Sequence, residues 1–227
     1  GVAIDSTPVV IDNAPPSLDG ASLYPLEPTV ASTMNCTPGT ATDPDGTTSF
    51  SYTYRWEVAG VPFPGETGSS LTAPAFARGQ SIQCHVTVHD DVDAGAEVGS
   101  NIVIVQNSLP VVDDLSIGPS VVKTNDTITA TVALSDDDGD PVAALYQWKV
   151  NGIVVTEVAE DSAVLNGVDH FDKHDSVAVT VTPSESVVTG VPVTSDAIVI
   201  LNTAPGSPVV DVSPAFPEPE ADLSCLI

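Results

Sequence analysis

The chain has 227 residues, with 31 acidic and 5 basic side chains and a net charge of −26. That balance argues against nucleic acid and anionic membrane surfaces as partners and favours divalent cations. The chain is nevertheless 42% hydrophobic, so it is not a disordered acidic tail, and no run approaches the roughly 18 apolar residues of a membrane helix.

From the start of the chain, Val9-Val10-Ile11 leads into Asn13 and Pro15. The same punctuation returns at Val103-Ile104-Val105 with Asn107 and Pro110, and at Ile198-Val199-Ile200 with Asn202 and Pro205. The asparagines are 94 and 95 residues apart, and Ser6, Ser100 and Ser195 each stand seven residues before one. A period this long is a whole domain copied in tandem. Tandem domains serve reach, spacing or adhesion more often than chemistry. The expected organisation is residues 1–12 as the last strand of a preceding repeat, 13–106 and 107–201 as two full copies, and 202–227 as the start of a truncated following one. Cys225 stands 23 residues after Asn202, as Cys36 does after Asn13. With no initiator Met or leader at Gly1, the chain reads as a stretch of a longer repeat protein. The alternative is a fibre subunit whose terminal pieces complete each other by strand exchange.

Within the first copy an early strand carries Cys36, and an acidic loop follows, Asp43-Pro44-Asp45-Gly46. The next strand alternates, with Tyr54 and Trp56 inward and Arg55 and Glu57 outward, and ends in an Ala59-Gly60 turn. A late strand turns Ile82, Cys84, Val86 and Val88 inward and leads to a second loop bearing Asp90, Asp91 and Asp93. The second copy repeats the order: Asp136-Asp137-Asp138-Gly139-Asp140, then Tyr146 and Trp148, then Asn151-Gly152, then Val177, Val179 and Val181. Ala130 and Val179 stand where the first copy has Cys36 and Cys84. Both cysteines are replaced together by small apolar residues, as loss of a buried disulfide would leave them. A Cys36–Cys84 bridge is therefore expected, worth about 4 kcal/mol for a loop of 48 steps in the chain-entropy model. It implies secretion or surface display, and a partner for Cys225 beyond Ile227.

The order Cys, Trp, Cys on successive strands resembles the immunoglobulin-like sandwich. With Tyr146-Gln147-Trp148-Lys149-Val150-Asn151-Gly152, the Asp136–Asp140 loop and the Asn202-Thr203-Ala204-Pro205 hinge, the chain looks more closely like the PKD-like and cadherin-like repeats of long bacterial surface proteins. The first copy departs from that pattern at Thr47 and Ala59. The resemblance implies an all-β chain of tandem Ig-like antiparallel β-sandwich domains in a rod-like array, with Trp56, Trp148, Tyr54 and Tyr146 in the cores.

Asp43 and Asp45, and Asp136, Asp138 and Asp140, have the alternate spacing that points carboxylates toward one centre. Hard oxygen ligands in that pattern suit calcium. In such a sandwich the loop carrying Asp90, Asp91 and Asp93 lies alongside, so five carboxylates converge in the first copy. The matching Thr182-Pro183-Ser184-Glu185 loop is poorer. The competing explanation is a pair of solvated turns, for which Asp and Gly are suited. No EF-hand is present. His170 and His174 lie among aspartates, but their spacing compels no third zinc ligand.

No serine-hydrolase, zinc-protease or phosphate-loop motif occurs, and the expected function is not enzymatic. It is a structural or adhesive extracellular segment such as a stalk, surface layer, sheath or fibre element. Its partners would be neighbouring repeats or like subunits. A module binding surface glycans or proteins is the alternative, and it requires an exposed aromatic platform, for which Tyr24, Phe63 and Phe216 are the candidates.

Overall fold

In a computed structural model, residues 1, 7–186, 188–207, 209–213, 215, 218–222 and 224–226 are described. Ser6 and Phe216 lie outside them. The chain is nearly all β, and its only helix among the described residues is one turn, Gly167–His170. No described helix is long and apolar enough to cross a membrane. The chain divides into two units. The first comprises Gly1–Val111 with Ser135–Val142 and Glu185–Thr189; the second comprises Val112–Leu134, Ala143–Ser184 and Gly190–Ile227.

In the first unit, strands Ala21–Tyr24, Met34–Pro38 and Ser70–Leu71 form one antiparallel sheet. Ser51–Val58 pairs along its length with Ser81–His89 in a second, flanked by Val61–Phe63 and Val103–Ile104. The Ser81–His89 strand alternates strictly between half-buried and buried positions, as a period of two requires. Its inner residues Ile82, Cys84, Val86 and Val88 are fully enclosed. Trp56 lies opposite Cys84 and is buried, its Nε1–H donating to the Gly68 carbonyl at 3.0 Å. The Cys36–Cys84 disulfide is formed and joins the two sheets, with Cα atoms 6.3 Å apart.

The second copy repeats this plan. Val111–Gly118, Thr127–Ser135 and Val164–Asn166 make one sheet; Ala143–Val150 and Ser176–Glu185 centre the other. Trp148 faces Val179 in the register that Trp56 has with Cys84, and donates to the Ser162 carbonyl at 3.0 Å. Ala130 and Val179 are buried where the cysteines would be. Tyr54 and Tyr146, expected in the cores, are only half-buried and pack against them, whereas the tryptophans are enclosed. Phe63 also packs on its core, and Tyr24 is exposed.

The repeated serines have a mechanical reason. Ser100 Oγ accepts from Cys84 N–H at 3.1 Å while its own N–H donates to the Cys84 carbonyl; Ser195 does the same to Val179 at 3.2 Å. Each fastens the returning chain to the core strand at the position where a short pairing ends. Both hairpin turns have two positive φ values, 54° and 72° at Ala59-Gly60 and 51° and 79° at Asn151-Gly152. This two-residue geometry favours Asn-Gly. Near the end of the chain, Asp211–Ser213 pairs with Ser224–Leu226 and sets Val212 opposite Cys225. This is the register of Leu23 opposite Cys36 in the first copy. Cys225 is free and exposed.

Candidate metal site at the acidic loops

Each acidic loop is first a self-bonded turn. Asp43 Oδ1 accepts from the backbone N–H of Asp45 at 2.7 Å and of Thr47 at 3.4 Å. Asp136 Oδ1 accepts from Asp138 at 2.8 Å and Asp140 at 3.3 Å. The closing glycines, Gly46 and Gly139, have φ of 85° and 79°, a left-handed conformation that glycine adopts without cost. The turn chemistry therefore accounts for one oxygen of the first aspartate in each copy, leaving the other directed elsewhere.

The second aspartate of each loop holds the incoming chain. Asp45 Oδ2 accepts from Ala14 N–H, and Asp138 Oδ2 from Ser108 N–H, both at 2.6 Å. The hinge asparagine reaches the other loop. Asn13 Nδ2 donates to Asp90 Oδ2 at 2.9 Å and to Asp93 Oδ2 at 3.1 Å. Asn107 Nδ2 donates to Glu185 Oε1 in the same way. Asp90 Oδ1 also accepts from the N–H groups of Val92 and Asp93. With the Asn13 amide as the largest influence, these donors hold the Asp90 carboxyl at about 2.

Several oxygens are left over. Asp43 Oδ2, Asp136 Oδ2, Asp138 Oδ1 and Glu185 Oε2 are enclosed and have no hydrogen-bond partner among the described residues. Glu185 is only 6% exposed. An enclosed carboxylate oxygen without a partner is costly, and a cation is the usual remedy. Asp136, Asp140 and Glu185 each place one oxygen within 4.8 Å of the other two, and among the described residues they are the group able to hold a metal ion. The Asp136–Asp140 loop and Glu185 all belong to the first unit. So does Arg78, whose guanidinium donates to Asn107 Oδ1 and to both oxygens of Asp140, the second contact being 3.4 Å.

Among the residues expected to ligate, Asp136 and Asp140 are thus brought together; Asp138 has an unpartnered oxygen but is not one of that group. Asp45, Asp90 and Asp93 bond to Asn13 and Ala14, but with Asp43 they do not form such a group of ligands among the described residues. Asp91 is exposed at φ 81°. Asn13, Asn107 and Arg78 were not foreseen as site residues, and Glu185 only as part of the poorer matching loop. Glu185 falls 95 residues after Asp90, so the repeat itself marked it. Neither His170 nor His174 joins a group of ligands among the described residues.

No family model matches the chain, and no curated protein does. Among solved structures it is similar to the FN1–FN3 domains of chicken CNTN1, with 16% identity over 88% of this chain and 72% of that one and a TM-score of 0.35. It is also similar to the three N-terminal domains of the bacteriophage RB49 Highly Immunogenic Outer Capsid protein (Hoc), with 17% identity over 80% of this chain and 59% of that one and a TM-score of 0.31.

Proposed function

We propose that this chain is a segment of an extracellular structural or adhesive repeat protein, in which β-sandwich copies set length and stiffness and the acidic loops take calcium. One observation supports this most. In both copies the hinge asparagine and the backbone N–H after it are tied to carboxylates on two loops of the same copy. Those hydrogen bonds fix how the chain enters each sandwich, which is what a spacer needs and what a substrate cleft does not. The disulfide agrees with an oxidising compartment. The PKD-like and cadherin-like resemblance agrees with calcium, and the unpartnered oxygens of Asp136, Asp138 and Glu185 give a hard cation places to bind. Calcium would be held by carboxylates that already anchor the hinge, so binding and stiffness would be coupled.

The test is small-angle scattering and a thermal melt of the 227-residue chain in calcium and in chelator. Calcium is expected to raise the melting temperature and leave the longest dimension constant over a range of salt. No change in the melt, with no loss from Asp136→Ala combined with Asp138→Ala, removes calcium from the account. Saturable binding on a glycan array would replace the spacer with a binding module. Tyr24 alone among that module's aromatic candidates is exposed within the described residues.

A further inference from the structure

The two acidic sites share their hydrogen bonds but differ in what neutralises them. Around Asp43, Asp45, Asp90 and Asp93 the partners are the Asn13 amide and backbone N–H groups, all uncharged. No ion pair reaches these four among the described residues. The cluster of Asp136, Asp138, Asp140 and Glu185 instead holds one of the five basic residues of the chain. The Arg78 guanidinium pairs with Asp140 and also accepts the field of Asp138 and Glu185, which raises its affinity for its proton. Its second anchor is the Oδ1 of Asn107, whose amide group holds Glu185. A cavity of about 220 Å³ lies among Arg78, Asn107, Asp140 and Glu185.

We propose that Arg78 is the resident counter-ion of this second site, and that a divalent cation enters it by exchange with the guanidinium. The inference rests on the reading of the loops as calcium sites. Asp140 cannot serve a planar, two-pronged guanidinium and a metal ion fully at once, because both need the same oxygens. The metal has a further attraction in the unpartnered Glu185 Oε2, Asp136 Oδ2 and Asp138 Oδ1, which Arg78 leaves unbonded. Arg78 therefore raises the calcium concentration at which this site fills. Release of Arg78 also frees Asn107 Oδ1, which ties the state of the hinge to occupancy.

The test is calcium titration of the whole chain by isothermal titration calorimetry, for the unsubstituted protein, Arg78→Gln and Arg78→Lys, with folding checked by circular dichroism. A binding step at this site is expected. Arg78→Gln should tighten it about ten-fold, by removing a like charge from the cation's surroundings. Arg78→Lys should stay near the unsubstituted value, and Glu185→Gln should remove the step. An unchanged or weakened step in Arg78→Gln, with calcium still bound, overturns the exchange and leaves the calcium reading standing. No calcium binding to any of the three proteins overturns that reading and the exchange with it. The unsubstituted protein provides an independent check by NMR, because the Arg78 side-chain N–H signal should move as the binding step saturates. A signal that stays in place at saturation overturns the proposal even if the variants fail to fold.

Discussion

The two copies solve one packing problem with different covalent means. In the first, Cys36 and Cys84 join the sheets beneath Trp56; in the second, Ala130 and Val179 fill the same positions beneath Trp148. The tryptophan, its Nε1–H bond to a loop carbonyl and the serine clamp are retained in both. So are the two bonds from the hinge to the acidic loops. The bridge is therefore an addition to a fold that closes without it, whereas the linker contacts recur at the start of both complete copies.

Breaking the bridge is the strongest way to probe that difference. Cys36→Ala with Cys84→Ala should destabilise the first copy by about 2–4 kcal/mol while leaving the second unchanged, with melts in oxidising buffer as the measure. An equal loss in both would mean that the copies do not unfold separately. Removing the serine clamp should instead act alike on both copies. Ser100→Ala and Ser195→Ala each take a partner from an enclosed N–H and should cost about 1 kcal/mol.

The hinge comes next in size. Asn13→Ala should lower the melting temperature of the first copy by about 4 °C. It should also change its acid response. Asp90 has a folded-state pKa of about 2, below the ordinary 3.8, so its stabilising contribution is complete above the ordinary value and is lost as pH falls toward 2. Without Asn13, the largest cause of that depression, the melting temperature should depend less on pH between 4 and 2. The smallest effect belongs to the turns. Ala59→Gly should stabilise the first copy by about 0.5–1 kcal/mol, because alanine there sits at φ 54°. Asn151→Gly should do much less, since asparagine tolerates the conformation and bonds Asp175 and Ser176.

The fold was legible because its signals are local and repeated. Alternation places Ile82, Cys84, Val86 and Val88 on one face, and the joint replacement of two cysteines in the second copy marks the bridge. The site was legible only in part. Aspartates at alternate positions pointed to cations, but alternate spacing does not reveal that Asp43 and Asp136 spend one oxygen on closing their own turn. Nor does it show which carboxylates meet across loops, so the first copy, richer in aspartate, looked the better site. Glu185 was passed over because a lone glutamate in a Thr-Pro-Ser context carries no motif. Its burial comes from the alternation of the Ser176–Glu185 strand, which turns every second residue from Val177 to Glu185 inward. Arg78 lies 62 residues from Asp140, beyond what periodicity reports.

Amide hydrogen exchange at Ala14 and Ser108 tests the central claim most directly, because each of these N–H groups is bonded only through a carboxylate of its own copy. Both should be protected in the unsubstituted chain, and Asp45→Ala and Asp138→Ala should each release one of them without affecting the other. If both amides exchange as freely as the exposed chain before Asn13, the acidic loops do not hold the hinge and the mechanical account fails.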